Sequence, residues 1–97
     1  MKTVWKFPLT ATERFAIAMP RGAQLLHVGT QGVGLEAQAS VWVLCDTEAP
    51  RTRRAFAVCG TGHDSGHCTG QHIGTFMLGN GALVFHVFDL GEAPEES

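Results

Sequence analysis

The sequence predicts an all-β domain, a small antiparallel β-sandwich or barrel-like domain of roughly seven strands. Apolar and polar residues alternate at every second position in nearly every segment, which is the period of a strand with one buried face. Gly, Pro and Asn interrupt that alternation at short intervals, as turns between short strands do. The chain of 97 residues has room for one core and not for a second.

In the first strand Trp5, Phe7 and Leu9 share a face, with Lys6 opposite. Phe15, Ile17 and Met19 repeat the pattern with Arg14 on the other side. That alternation favours a strand over a helix at residues 10–18, where Thr10 or Thr12 would supply the cap. Pro20-Arg21-Gly22 marks a turn, because Pro presets φ and Gly tolerates positive φ. Leu26 and Val28 form one side of a third strand, His27 points the other way, and Gly32 and Gly34 close it.

The fourth strand aligns Leu35, Ala37, Ala39, Val41, Val43 and Cys45 on one face. Its other face is polar at Glu36, Gln38 and Ser40 and apolar at Trp42 and Leu44, so one end is expected to be covered on both sides. Residues 46–54, with Pro50, read as a charged hairpin tip. Phe56 and Val58 resume a strand, and residues 60–70 form a glycine-rich loop. Residues 73–78 make a further strand, Gly79-Asn80-Gly81 is a hairpin turn, and residues 82–90 are almost wholly apolar. Residues 1–90 therefore read as a single β domain and 91–97 as an acidic, flexible tail.

Composition narrows the function classes. Hydrophobic residues at 44% against 16% charged supply enough apolar side chain to offset chain entropy. A net charge of -2, with only Arg51, Arg53 and Arg54 clustered among seven basic residues, disfavours a nucleic-acid partner. No run approaches the ~20 apolar residues of a spanning helix, so no membrane partner is expected. Lys6 and Pro8 break the place where a signal-peptide core would run, which points to the cytoplasm. Three cysteines, Cys45, Cys59 and Cys68, fit reduced thiols better than a disulfide framework.

Four motifs carry a resemblance: Met1-Lys2-Thr3-Val4-Trp5-Lys6-Phe7-Pro8-Leu9, Gly60-Thr61-Gly62-His63, Ile73-Gly74-Thr75-Phe76 and Leu83-Val84-Phe85-His86-Val87-Phe88. In this order they resemble a family of small uncharacterised bacteriophage and prophage proteins. The resemblance implies a phage origin, hence the cytoplasm of a bacterial host, and implies no activity. Cys59 departs from the family pattern, which has an aromatic residue there, so chemistry at Cys59 would belong to this chain alone.

The segment from Cys59 through His63, His67 and Cys68 to His72 is dense in zinc-ligand types. It has no C-x-x-C pair, and adjacent His67 and Cys68 would strain to hold one ion, so no metal and no cofactor is expected. Asp64-Ser65-Gly66 beside His63 superficially matches a protease nucleophile loop, but a triad needs a base and orienter from separate elements. A metal-dependent hydrolase using His63, Asp64 and His67 is the weaker enzyme reading, and no catalytic residue is assigned.

Gly60, Thr61, Gly62 and His63 are read as a ligand-binding loop, because glycines let backbone N–H groups approach an anion. Arg51, Arg53 and Arg54 could grip phosphate or carboxylate with paired donors. Val84, His86 and Phe88 share a strand face that needs cover, so they are assigned to an oligomer interface. The functional expectation is a non-enzymatic binding protein that forms a homo-oligomer. Its target would be a phosphate-bearing small molecule, sequestered as a nucleotide-like signal, or a host defence protein that it blocks. The alternative is a structural or assembly protein of the phage.

Overall fold

The computed structural model describes residues 1–33 and 36–93. These residues form seven strands: β1 (Lys2–Pro8), β2 (Arg14–Pro20), β3 (Gln24–Gln31), β4 (Gln38–Asp46), β5 (Arg51–Gly60), β6 (Gln71–Leu78) and β7 (Leu83–Ala93). Every pairing is antiparallel. One sheet has the order β1-β4-β3 and the other β2-β5-β7-β6. This is the expected small all-β domain, with no α-helix among the described residues, and none therefore long and apolar enough to cross a membrane.

Alternation explains the core. The β1–β4 register sets Trp5 opposite Val43 and Phe7 opposite Val41, so the aromatic face of β1 lies on the inner face of β4. Across the sandwich, β2 and β5 set Phe15 opposite Phe56, and their rings stack at 5.5 Å. Phe56, Met19, Val41, Val43 and Val87 are fully buried at its centre. Each such side chain stabilises the fold by roughly 1.5–3 kcal/mol relative to leaving it in water.

Two turns between strands use positive φ where the sequence supplies residues that tolerate it. Gly22 (φ 78°) closes the 20–23 turn, and Ala23 N–H donates to Pro20 O. Asn80 (φ 57°) and Gly81 (φ 88°) are the two central residues of the β6–β7 hairpin turn, the pattern that Asn-Gly favours.

Three bulges disturb the two-residue period. In β3 the register shifts between Leu25 and His27, so Leu26 is the extra residue. Leu25 then packs on the core and Leu26 is 46% exposed. This corrects the expectation that Leu26 and Val28 share a face, since one inserted residue flips parity. Equivalent shifts leave Ile73 extra in β6 and Leu90 extra in β7.

The bulged edge strands β3 and β6 meet where the two sheets adjoin. A Cβ on Gly74 would stand 2.6 Å from Val28 Cβ, and Thr30 Oγ1 donates to Met77 O at 3.2 Å. The sandwich is thus nearly closed along this side.

Residues 46–54 are not a hairpin tip. β4 and β5 lie in different sheets, so the segment between them is a crossover, and Arg51, Arg53 and Arg54 belong to β5. Arg21 N–H donates to Pro50 O at 2.8 Å and ties the crossover to the 20–23 turn. Gly91 and Glu92, expected to open a flexible tail, instead pair with Ala55 and Arg54 as part of β7. The places assigned to Gly34, Leu35 and residues 94–97 lie outside the described residues.

Candidate functional site

The three arginines separate as soon as β5 forms. Alternation turns Thr52, Arg54 and Phe56 inward, since they pair with Met19, Ile17 and Phe15, and turns Arg53 outward opposite Ala18. Arg54 is only 14% exposed and donates from Nε to Asp89 Oδ1 (2.9 Å), from Nη2 to Asp89 Oδ2 (2.7 Å) and from Nη1 to Ala23 O (3.1 Å). Its hydrogen-bonded fork holds the Asp89 carboxyl below the usual carboxylate range, and the Gly91 N–H lowers it further. Glu92 is lowered in turn by its bond from Thr52 Oγ1 (2.7 Å) and by Gly22 N–H (3.0 Å). Arg54 is therefore a clamp between β5, β7 and the 20–23 turn, not an exposed anion grip. Arg51 donates to Ala18 O and lies over the Trp5 ring at 5.1 Å, and both it and Arg53 are exposed.

Gly60-Thr61-Gly62-His63 forms a β-turn. His63 N–H donates to Gly60 O (3.0 Å), and Gly62 takes the positive φ of 82° at the third position. Thr61 N–H donates to Val84 O, so two of the amides expected to cradle an anion are already used. The glycine at position 62 serves the turn. His63 leans over Gly60, where a Cβ would come 2.8 Å from its Nδ1, and borders a cleft of about 200 Å³ lined by Leu83, Val84 and Phe85.

The outer face of the four-stranded sheet brings together groups far apart in sequence. The register places Arg14, Ala57, Phe88 and His72 in one row across β2, β5, β7 and β6. Cys59, His86 and Thr75 form the next row. The His72 ring meets Phe88 edge-on at 5.3 Å. His86 is held at both nitrogens, Nε2 by Thr61 Oγ1 (2.8 Å) and Nδ1 by Thr75 Oγ1 (3.1 Å), while His72 Nε2 reaches the same Thr75 oxygen at 3.3 Å. Thr75 has one hydroxyl proton, so at least one of the two ring nitrogens it meets must carry its own.

Val84, His86 and Phe88 do share this face, as alternation requires, and all three are half-buried. Met77 extends the apolar part at 55% exposure. Arg14 and Arg53 add cations. Asp89 and Glu92 turn inward to Arg54 because the Leu90 bulge shifts parity between them. Among the described residues, the strands place no carboxylate on this face.

His72, Thr75 and Arg14 are functional candidates that sequence reading did not assign. Residues 72 and 75 are three apart, and unbroken alternation puts them on opposite faces; the Ile73 bulge brings them together. The cysteine and histidine segment divides instead of converging. His67 Nε2 bonds Val58 O (2.9 Å), His63 lies on Gly60, and His72 bonds Thr75. Among the described residues no three His, Cys, Asp or Glu side chains are placed to hold one metal ion. Asp64 Oδ1 accepts Gly66 N–H in its own turn.

No curated protein and no solved structure matches the chain. One family model does, over residues 1–97, and by that match the chain belongs to the Domain of unknown function (DUF7352) family.

Proposed function

We propose that this chain is a phage-encoded, non-enzymatic binding protein that acts inside the bacterial host. It captures a phosphate-bearing, nucleotide-like ligand on the outer face of the four-stranded sheet, where two copies meet. The observation that carries this reading is the Arg14–Ala57–Phe88–His72 row beside His86 and Thr75. It offers an aromatic ring for stacking, hydrogen-bonding side chains and cations, on a face where the strands place no carboxylate among the described residues. Those are the complements of a base, its polar edges and a phosphate. Val84, Phe88 and Met77 supply apolar area for a second copy, whose matching face would enclose a ligand that one 97-residue chain covers on a single side.

Thermal-shift screening of mononucleotides and cyclic dinucleotides, beside sizing chromatography, tests the reading. A dimer with a ligand-dependent rise in Tm that Arg14→Ala and His72→Ala diminish supports it. A strict monomer without a shift for any phosphate-bearing compound defeats it, and copurification with phage particles would then favour an assembly role.

A further inference from the structure

The 60–70 loop folds back on the strand it leaves. His67 Nε2 bonds Val58 O at 2.9 Å, which lays residues 67 and 68 beside residues 58 and 59. Cys68 N–H donates to Ser65 O at 2.9 Å, so a turn directs the cysteine back toward the sheet. Cys59 stands on β5 opposite His86, on the outer face, and both cysteines are half-buried. Burial, and after it the neighbouring Cys59 thiol, pushes the Cys68 thiol up to about 11. The third thiol, Cys45, is buried in the core at 3% exposure and takes no part in this pair.

We infer that Cys59 and Cys68 are a redox modification site that closes into an intramolecular disulfide and locks the 60–70 loop onto the outer face of the four-stranded sheet. The oxidant is a low-molecular-weight disulfide such as oxidised glutathione. Cys68 stays protonated near neutral pH, so Cys59 attacks first. The Cys59 Sγ–S bond forms as one glutathione thiolate leaves. In the mixed disulfide Cys59 no longer opposes ionisation of Cys68, which then attacks Cys59 Sγ and expels the second glutathione. Two protein thiols lose two electrons and two protons, and one glutathione disulfide becomes two glutathione thiols.

The loop is suited to such a lock because, apart from the bonds of Thr61 and His67 to the sheet, its bonds are turn-local. Gly66 N–H donates to Asp64 Oδ1, His63 N–H to Gly60 O and Cys68 N–H to Ser65 O. Cross-linking two ends already in place restricts the unfolded chain without moving the sheet. Because Thr61 in the same loop holds His86, the lock also steadies the His86–Thr75–His72 chain.

The test treats the full chain with oxidised glutathione under native conditions and measures intact mass and peptide connectivity. The expected product is lighter by two hydrogen atoms, carries a 59–68 cross-link, retains a free Cys45 and returns to the starting mass with dithiothreitol. Cys45→Ser behaves the same way. Cys68→Ser stops at a glutathione adduct on Cys59. Phenylarsine oxide, which bridges two nearby thiols, binds the reduced wild type at one equivalent and fails to bridge Cys68→Ser. Separate glutathione adducts on both cysteines, a cross-link between chains, or no phenylarsine oxide bridging in the folded wild type overturns the proposal.

Discussion

Arg54 and Asp89 form a two-pronged ion pair on the inner face of the sandwich, with N–O distances of 2.9 and 2.7 Å and exposures of 14% and 13%. It joins the middle of β5 to the bulged end of β7, and Ala23 O adds the 20–23 turn to the same guanidinium. Removing one partner strands the other charge in a poorly hydrated place. Arg54→Ala is expected to destabilise the domain by about 2–4 kcal/mol, the lower side of the range for buried pairs because water still reaches its rim. Arg54→Lys recovers only part of that, since an ammonium has no planar fork. Urea unfolding followed by Trp fluorescence measures both, and a loss under ~0.5 kcal/mol for Arg54→Ala, the size of an ordinary surface substitution, would contradict the clamp.

Acid should weaken the fold through the same cluster. Asp89 is lowered from its ordinary 3.8 chiefly by the bond from Arg54, and Glu92 from 4.5 chiefly by the bond from Thr52. Both carboxyls are lower folded than unfolded, so their contribution is complete above the ordinary values and is lost as pH falls through the folded ones. Tm is therefore expected to hold from neutral pH to about 5 and to drop below about 4. In Asp89→Asn the acid drop should be shallower. An equal drop in variant and wild type would remove Asp89 as its cause.

Two glycines of the 60–70 loop should respond differently to a methyl group. Gly62 faces open space at φ 82°, so Gly62→Ala is expected to cost about 1–2 kcal/mol through the left-handed backbone alone. At Gly70 a Cβ would collide with the Asp89 carbonyl, a backbone atom that cannot rotate away. Gly70→Ala should lower Tm by at least twice as much as Gly62→Ala, and the reverse order would show that the loop does not pack on β7 as described.

The β3 bulge makes a sharp distinction between adjacent leucines. Leu25→Ala, on the core side, is expected to cost about 2 kcal/mol or more, whereas Leu26→Ala should stay within about 0.5 kcal/mol. Denaturant midpoints of the two variants decide it. Equal costs would mean that Leu26 packs inward.

A charge on the outer face should separate self-association from folding. Val84→Asp is expected to convert a wild-type dimer to a monomer on sizing chromatography while the strand signal in circular dichroism is unchanged. A wild type that elutes as a monomer at micromolar concentration would remove the second copy from the proposed site.

The amino-acid sequence by itself determined the all-β class, the turns at Gly22 and Asn80-Gly81, and the inner faces of β1, β2 and β4. Each follows from a local rule: side chains alternate along a strand, and only certain residues accept positive φ. The same rule correctly grouped Val84, His86 and Phe88. Only the tertiary structure decided that Leu25 replaces Leu26 in the core, that His72 joins Thr75, and that Asp89 and Glu92 both meet Arg54. Each of these depends on one bulged residue, and a bulge is set by pairing with a distant strand, which leaves no mark in a neighbouring sequence period. The fate of Arg54 was hidden for the same reason. An arginine near Pro50 looks like a solvated tip until β5 is placed between β2 and β7, where desolvation and the fork geometry of Asp89 make it part of the interior.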